Sequence, residues 1–180
     1  KPLIAGLLDA QIRLKGQPDA LAGSLNLKAS GLKLTGDGGY GLPPAGLEAS
    51  LSLKPGANSL DASAQLGPKG NLKLRGQIGG TLPSAPGTLA LRAEGRIDLG
   101  LLDPLLTADG RKLTGQANLA ATVAGTLERP NLGGRLSLAG VSYRDWNLGL
   151  NLTHIAGNLI LDGDHLRLDR LAGQAGGGSL

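Results

Sequence analysis

Apolar and polar residues alternate along most of the chain in short runs. Leucine or alanine takes every second position of a run, and lysine, asparagine, serine, aspartate, arginine or threonine stands between. This alternation predicts β-strands with one apolar face. The first half has the runs Leu25, Leu27, Ala29; Leu47, Ala49, Leu51, Leu53; Leu60, Ala62, Ala64, Leu66; Leu72, Leu74; and Leu89, Leu91, Ala93. The second half has Ala117, Leu119, Ala121, Val123; Leu136, Leu138; Leu148, Leu150, Leu152; Leu159, Leu161; and Leu166, Leu168.

Segments rich in glycine, proline, asparagine and aspartate separate these runs. They lie at residues 36–39, 55–58, 67–70 and 162–164. Such residues supply the backbone angles that hairpin turns require. We therefore expect about a dozen strands of about six to eight residues in one antiparallel meander, with residues 148–152 and 157–161 as separate strands.

One segment departs from the alternation. Between Ile97 and Arg111 the apolar spacing mixes periods of two and three around Pro104. This pattern predicts a strand that runs into one short helical or irregular turn.

The composition limits what can cover the apolar face. The chain has 31 glycines, no phenylalanine, methionine or cysteine, and 2% aromatic residues, namely Tyr40, Tyr143 and Trp146. No amphipathic helix is long enough to cover a leucine face of this size. The residues alone leave two alternatives open: a sheet packed on itself as a sandwich or barrel, or a curled trough that holds hydrophobic cargo. Three aromatic residues cannot form the two girdles of an outer-membrane barrel.

Charge and chemistry exclude several function classes. The net charge is +4, but the lysines stand singly among leucines, without the basic stripe and stacking aromatics of a nucleic-acid site. The absence of cysteine excludes disulfides and thiol catalysis. His154 and His165 are expected in turns near aspartates, where turn chemistry is a better explanation than a metal site. No stretch approaches the roughly 18 apolar residues of a membrane span.

Residues 123–138 carry a recognisable signature. They read VAGTLERPNLGGRLSL, which resembles the pattern v-x-G-T-l-x-x-P-x-l-x-G-x-l-x-l of the TamB family, the inner-membrane component of the translocation and assembly module, within the AsmA-like superfamily. Residues 148–152, 157–161, 166–169 and 176–178 follow in the family's order. Upstream, residues 97–106 and 113–115 resemble the segment before the signature. The resemblance covers residues 88–180, and the first half matches only in general style.

The resemblance implies a non-enzymatic, periplasmic role. We expect residues 1–180 to be one β-groove segment of a longer protein, whose inner-membrane anchor lies outside this chain. Residues 1–96 would form its first half, and residues 97–180 its signature-bearing half. The family's fold is a long antiparallel meander, curled into a half-open trough (a β-taco) with an aliphatic interior. Its implied function is phospholipid transport between the inner and outer membranes in outer-membrane biogenesis, with an Omp85-type barrel protein as partner.

Two other functions stay open from the sequence: a chaperone-like scaffold for outer-membrane barrels, autotransporters and protein secretion, and a self-packed structural domain. The resemblance implies no catalytic residues, cofactor, metal or nucleic-acid partner. Together with the strand parity it predicts that acyl chains contact a lipid-groove lining made of Leu72, Leu74, Leu89, Leu91, Leu119, Val123, Leu136, Leu138, Leu148, Leu150, Leu152, Leu159, Leu161, Leu166 and Leu168.

Overall fold

The chain forms one eleven-stranded antiparallel sheet in a computed structural model that describes residues 3–17, 21–35, 41–82, 85–176 and 178–179. Neighbours in the sheet are neighbours in the chain, so the predicted all-β meander is confirmed. The strands are β1 (Leu3–Lys15), β2 (Ala22–Thr35), β3 (Ala45–Leu53), β4 (Gly56–Leu66), β5 (Gly70–Thr81), β6 (Ala85–Asp98), β7 (Arg111–Thr126), β8 (Pro130–Asp145), β9 (Leu150–Asp162), β10 (His165–Ala175) and β11 (Gly178–Ser179).

The strands are longer than the sequence suggests. From β1 to β10 they span 9 to 16 residues, so the expected length of six to eight residues was wrong. The prediction of two strands over residues 148–161 was also wrong, because β9 runs unbroken from Leu150 to Asp162. The register between β8 and β9 shifts twice, between Leu138 and Tyr143. A bulge of this kind lets one strand continue where the apolar parity changes.

Three of the four predicted turns fall on described residues. Residues 67–69 form a 3₁₀ turn, and Gly163 with Asp164 closes the hairpin between β9 and β10. At the third, the turn occupies Lys54 and Pro55, and β4 already begins at Gly56. The turn predicted at residues 36–39 lies outside the described residues.

A short helical insert, residues 99–109, follows β6 as predicted. It consists of a 3₁₀ turn, a four-residue helix α1 (Asp103–Leu106) and a second 3₁₀ turn. The carboxylate of Asp98 accepts a 2.9 Å hydrogen bond from the Gly100 N–H, and the Lys69 ammonium donates to the Gly100 carbonyl over 3.1 Å. The insert contacts β7 and buries Leu101, so it is anchored to the sheet. No helix among the described residues is long and apolar enough to cross a membrane.

The sheet stays open instead of folding into two packed layers. The chain, of 18.1 kDa, exposes 11640 Å², whereas a compact monomer of this mass exposes about 8,100 Å². Among the described residues the buried apolar side chains are Ala29, Leu53, Ile78, Leu89, Leu101, Ala117 and Val141. So small a set of buried residues is not the core of a sandwich.

Candidate functional site

The apolar residues of successive strands line up in continuous rows across the sheet. One row crosses ten strands through Ala10, Leu27, Ala49, Ala62, Leu74, Ala93, Ala121, Gly134, Leu161 and Leu166. The next crosses the same strands through Leu8, Ala29, Leu47, Ala64, Leu72, Gly95, Leu119, Leu136, Leu159 and Leu168. We call the surface formed by these rows and the inward residues beside them the apolar face. It contains no polar side chain in either row.

Large and small side chains share each row. Leu47 lies between Ala29 and Ala64, and Leu72 lies between Ala64 and Gly95. Small residues on a concave face leave room for the large ones as a sheet bends toward that face. The composition of the rows therefore suits an inward curl.

Glycine-centred bulges bend the strands themselves. The pairing register shifts beside Gly80, Gly115 and Gly140, and each of these residues has a positive φ, of 81°, 112° and 57°. A Cβ on Gly115 would lie 2.6 Å from the Cα of Val141, a distance that no side chain can adopt. Bulges increase the local bend and twist of a strand, so these glycines shape the groove.

Exposure of the apolar face rises from the middle of the sheet to its edges. Leu74, Leu91 and Leu136 are half-buried, whereas Leu8 in β1 is 70% exposed and Leu166 in β10 is 67% exposed. The central strands thus form the sheltered part of the groove, and the outer strands form its open margins.

The structure places the predicted lining residues as follows. Leu148 is not in the strand that the alternation predicted: it lies in the turn before β9 and is 76% exposed. The other fourteen lie in strands. Leu89 is buried and Leu72, Leu150, Leu166 and Leu168 are exposed, while nine are half-buried: Leu74, Leu91, Leu119, Val123, Leu136, Leu138, Leu152, Leu159 and Leu161.

A buried amide lies at one end of the apolar face. Asn58 is 1% exposed, and its Nδ2 donates to the carbonyls of Ile78 and Gly80 at 2.9 Å each. Its Oδ1 accepts from the Lys54 N–H at 3.3 Å. Asn58 lies at the same strand parity as Leu60 and Ala62. A polar residue at an inward position of an apolar series is the sequence feature that could have indicated this buried amide.

A buried carboxylate lies at the other end. Asp145 is 2% exposed and ends β8; its Oδ1 accepts from the backbone N–H groups of Leu148 and Asn147 at 3.0 and 2.9 Å. Its Oδ2 accepts from Arg111 Nε at 3.2 Å. The hydrogen bond from Leu148, then those from Arg111 and Asn147, hold the pKa of Asp145 below its ordinary value, against the opposing effect of burial.

Neither histidine lies in the turn expected for it. His154 is within β9, where it adopts a φ of 53°, and His165 is the first residue of β10. His165 Nδ1 contacts the Asp164 carboxylate at 2.6 Å, and both side chains are exposed. In the described part of the chain, no group of three or more histidine, cysteine, aspartate and glutamate side chains could hold a metal ion.

The polar face carries a depression of about 610 Å³ over β5, β6 and β7. Lys73, Arg75, Arg92, Glu94 and Thr122 surround it. The sequence does not reveal this cluster, since its members come together only through strand pairing.

No protein-family model matches the sequence, and no match to it is found among the curated proteins or the solved structures.

Proposed function

We propose that the apolar face holds the acyl chains of phospholipids, and that the chain is a segment of a periplasmic conduit between the inner and outer membranes. One observation carries the proposal: two uninterrupted apolar rows cross ten strands of an open sheet. With strands about 4.8 Å apart, each row is about 43 Å long. The hydrocarbon core of a bilayer is about 30 Å thick. One row is therefore longer than the acyl chains of the two leaflets placed end to end.

The chemistry of the face favours a fluid, unspecific cargo. Binding sites for small polar ligands place a few polar groups that fix the ligand's orientation, whereas the two rows have none. The polar groups Asn58 and Asp145 lie at the ends of the face and are occupied by protein partners. An exposed apolar surface larger than a few hundred Å² marks an interaction site.

The location between the inner and outer membranes, the inner-membrane anchor and the Omp85-type partner rest on the resemblance of residues 123–138 to the TamB signature. They belong to the proposal as the setting in which an open apolar groove is useful. The proposed role is non-enzymatic and needs no cofactor.

A photo-crosslinking residue at Leu161 tests the proposal, and Ile160 provides a matched control. The two neighbours in β9 are both apolar and half-buried, but Leu161 belongs to the apolar face, and Ile160 pairs with Arg135 and Arg167 of the polar face. We expect phospholipid adducts in cells from position 161 and none from position 160. Equal capture at both positions, or no lipid at position 161, would contradict the proposal.

A charged substitution at the same two positions separates binding from folding. Leu161→Arg should remove co-purifying phospholipid while the far-UV circular dichroism stays unchanged, because an open face lets the guanidinium reach water. Ile160→Arg should leave the bound lipid unchanged. A Leu161→Arg protein that is folded and retains its lipid would overturn the proposal.

A second function, a scaffold that adds client strands at a sheet edge, is favoured by β1. This strand lies at one edge of the described sheet, and every side chain described in it is exposed. An exposed strand edge can pair with an extended peptide. A crosslinker at Gln11 of β1 that captures outer-membrane protein clients, with no lipid captured at Leu161, would favour this function over the first.

A further inference from the structure

Two arginines face each other on the polar face of the sheet. Arg75 of β5 and Arg92 of β6 are directly opposite in the pairing register, and both are exposed. Like charges in this relationship destabilise a sheet. An opposite charge placed between them would remove that repulsion.

The carboxylates of the described residues do not supply this charge. Asp61 lies opposite Arg75 on its other side, and Glu94 lies opposite Lys73. Nevertheless, among the described residues no carboxylate oxygen lies within 4.0 Å of the guanidinium of Arg75 or Arg92. The contrast is Lys28 on the same face, whose ammonium is 2.8 Å from Glu48.

The depression beside the two arginines has a structural cause. The adjacent pair on the polar face is Ala90 with Ala124, and their small side chains leave a hollow that the longer Lys73, Arg75 and Arg92 surround. The volume of about 610 Å³ is in the range of small-molecule sites. The hollow is thus large enough for more than a single ion.

We propose that this hollow binds a phosphate ester of a small polyol, such as a glycerol or sugar phosphate. The Arg75 and Arg92 guanidiniums would bind the phosphate, because their forked donors match its oxygens. Lys73 adds a third positive charge. Glu94, which also lines the hollow, would accept hydrogen bonds from the hydroxyls of the ligand. Its negative charge disfavours a second anionic group on that side of the hollow. Among the described residues no aromatic side chain lines the hollow, so these residues offer no stacking surface for a nucleotide base.

Thermal unfolding with added ligand tests this site. Glycerol 3-phosphate, at about ten times its Kd, should raise the Tm of the protein by about 3–6 °C relative to sodium chloride of equal ionic strength. Glycerol itself should have no such effect at that concentration. Arg92→Gln and Arg75→Gln should each weaken binding at least tenfold in calorimetric titration. Arg135→Gln is the control, since Arg135 is an exposed arginine of the same face outside the hollow.

Three results would overturn the proposal. The first is binding that Arg92→Gln and Arg135→Gln weaken equally, which would indicate a diffuse charge effect. The second is binding only to phosphatidylglycerol vesicles, with loss at high salt and no response to glycerol 3-phosphate. The third is equal affinity for inorganic phosphate and for the ester, which would refute the polyol part. The acyl-chain proposal concerns the opposite face, so none of these results bears on it.

Discussion

The side-chain amide of Asn58 donates a 2.9 Å hydrogen bond to the backbone carbonyl of Ile78, its directly opposite neighbour in the sheet. The same amide donates to the Gly80 carbonyl, on the far side of the register shift between β5 and β6. A bulge interrupts the ladder of backbone hydrogen bonds. At the bulge between Ile78 and Gly80, Asn58 donates hydrogen bonds to the carbonyls of both residues. It thereby holds the bulge in place at the end of the apolar face.

Asn58→Ala should destabilise the protein by about 1–3 kcal/mol, because it leaves buried carbonyl groups without a donor. Urea unfolding at neutral pH measures this loss. Asn26→Ala is the control, since Asn26 is an exposed asparagine of β2 and its loss should change the free energy of unfolding by less than about 0.5 kcal/mol. An equal effect of the two substitutions would refute the role given to Asn58.

The strands and their inward faces could be predicted from the sequence wherever the alternation is regular. Leu119 and Val123, for example, are in strand and half-buried as expected. Leu148 was misplaced because its parity matches that of Leu150, while the Asp145 carboxylate holds the preceding residues in a turn through the N–H groups of Asn147 and Leu148. That interaction depends on burial of Asp145, which no local pattern reveals.

The bulges and the arginine pair could not be predicted for a different reason. In β8 the inward residues change from even to odd positions between Leu138 and Val141. In the sequence, such a change looks like the end of one strand and the start of another. Arg75 and Arg92 are 17 positions apart in the sequence and become neighbours only through the register of β5 and β6. Both features are set by pairing between strands, not by the residues of one strand.

The helical insert offers a matched pair of leucines. Leu101 is 8% exposed and Leu105 is 38% exposed. Leu101→Ala should cost about 2–4 kcal/mol of stability, because it removes buried methyl groups and leaves a cavity. Leu105→Ala should cost less than about 1 kcal/mol. Equal losses in urea unfolding would mean that the insert is not anchored through Leu101.

His154 has a backbone conformation that suits glycine. Its φ of 53° is in the left-handed region, which costs an ordinary residue about 1–2 kcal/mol. His154→Gly should therefore stabilise the protein by about 0.5–1 kcal/mol, after allowance for the greater chain entropy of glycine. His165→Gly is the control: His165 has no positive φ, so this change should destabilise. If the melting temperatures of both variants shifted in the same direction, the left-handed backbone of His154 would not be the source of the stabilisation.

The buried Asp145 makes stability depend on pH in a defined direction. Its pKa in the folded protein is lowered, chiefly by the N–H of Leu148 and then by Arg111 and Asn147, so the folded state binds a proton less readily than the unfolded state. The resulting stabilisation is fully present above the ordinary aspartate pKa of about 3.9 and is lost as the pH falls through the lowered pKa. Asp145→Asn lacks this contribution, and the gap in urea midpoint between wild type and variant should narrow between pH 6 and pH 2. The gap in urea midpoint between wild type and Arg111→Gln should narrow less over the same pH range, because the N–H donors to Asp145 remain in that variant. A gap that stays constant over this range would show that Asp145 is not held ionised by these partners.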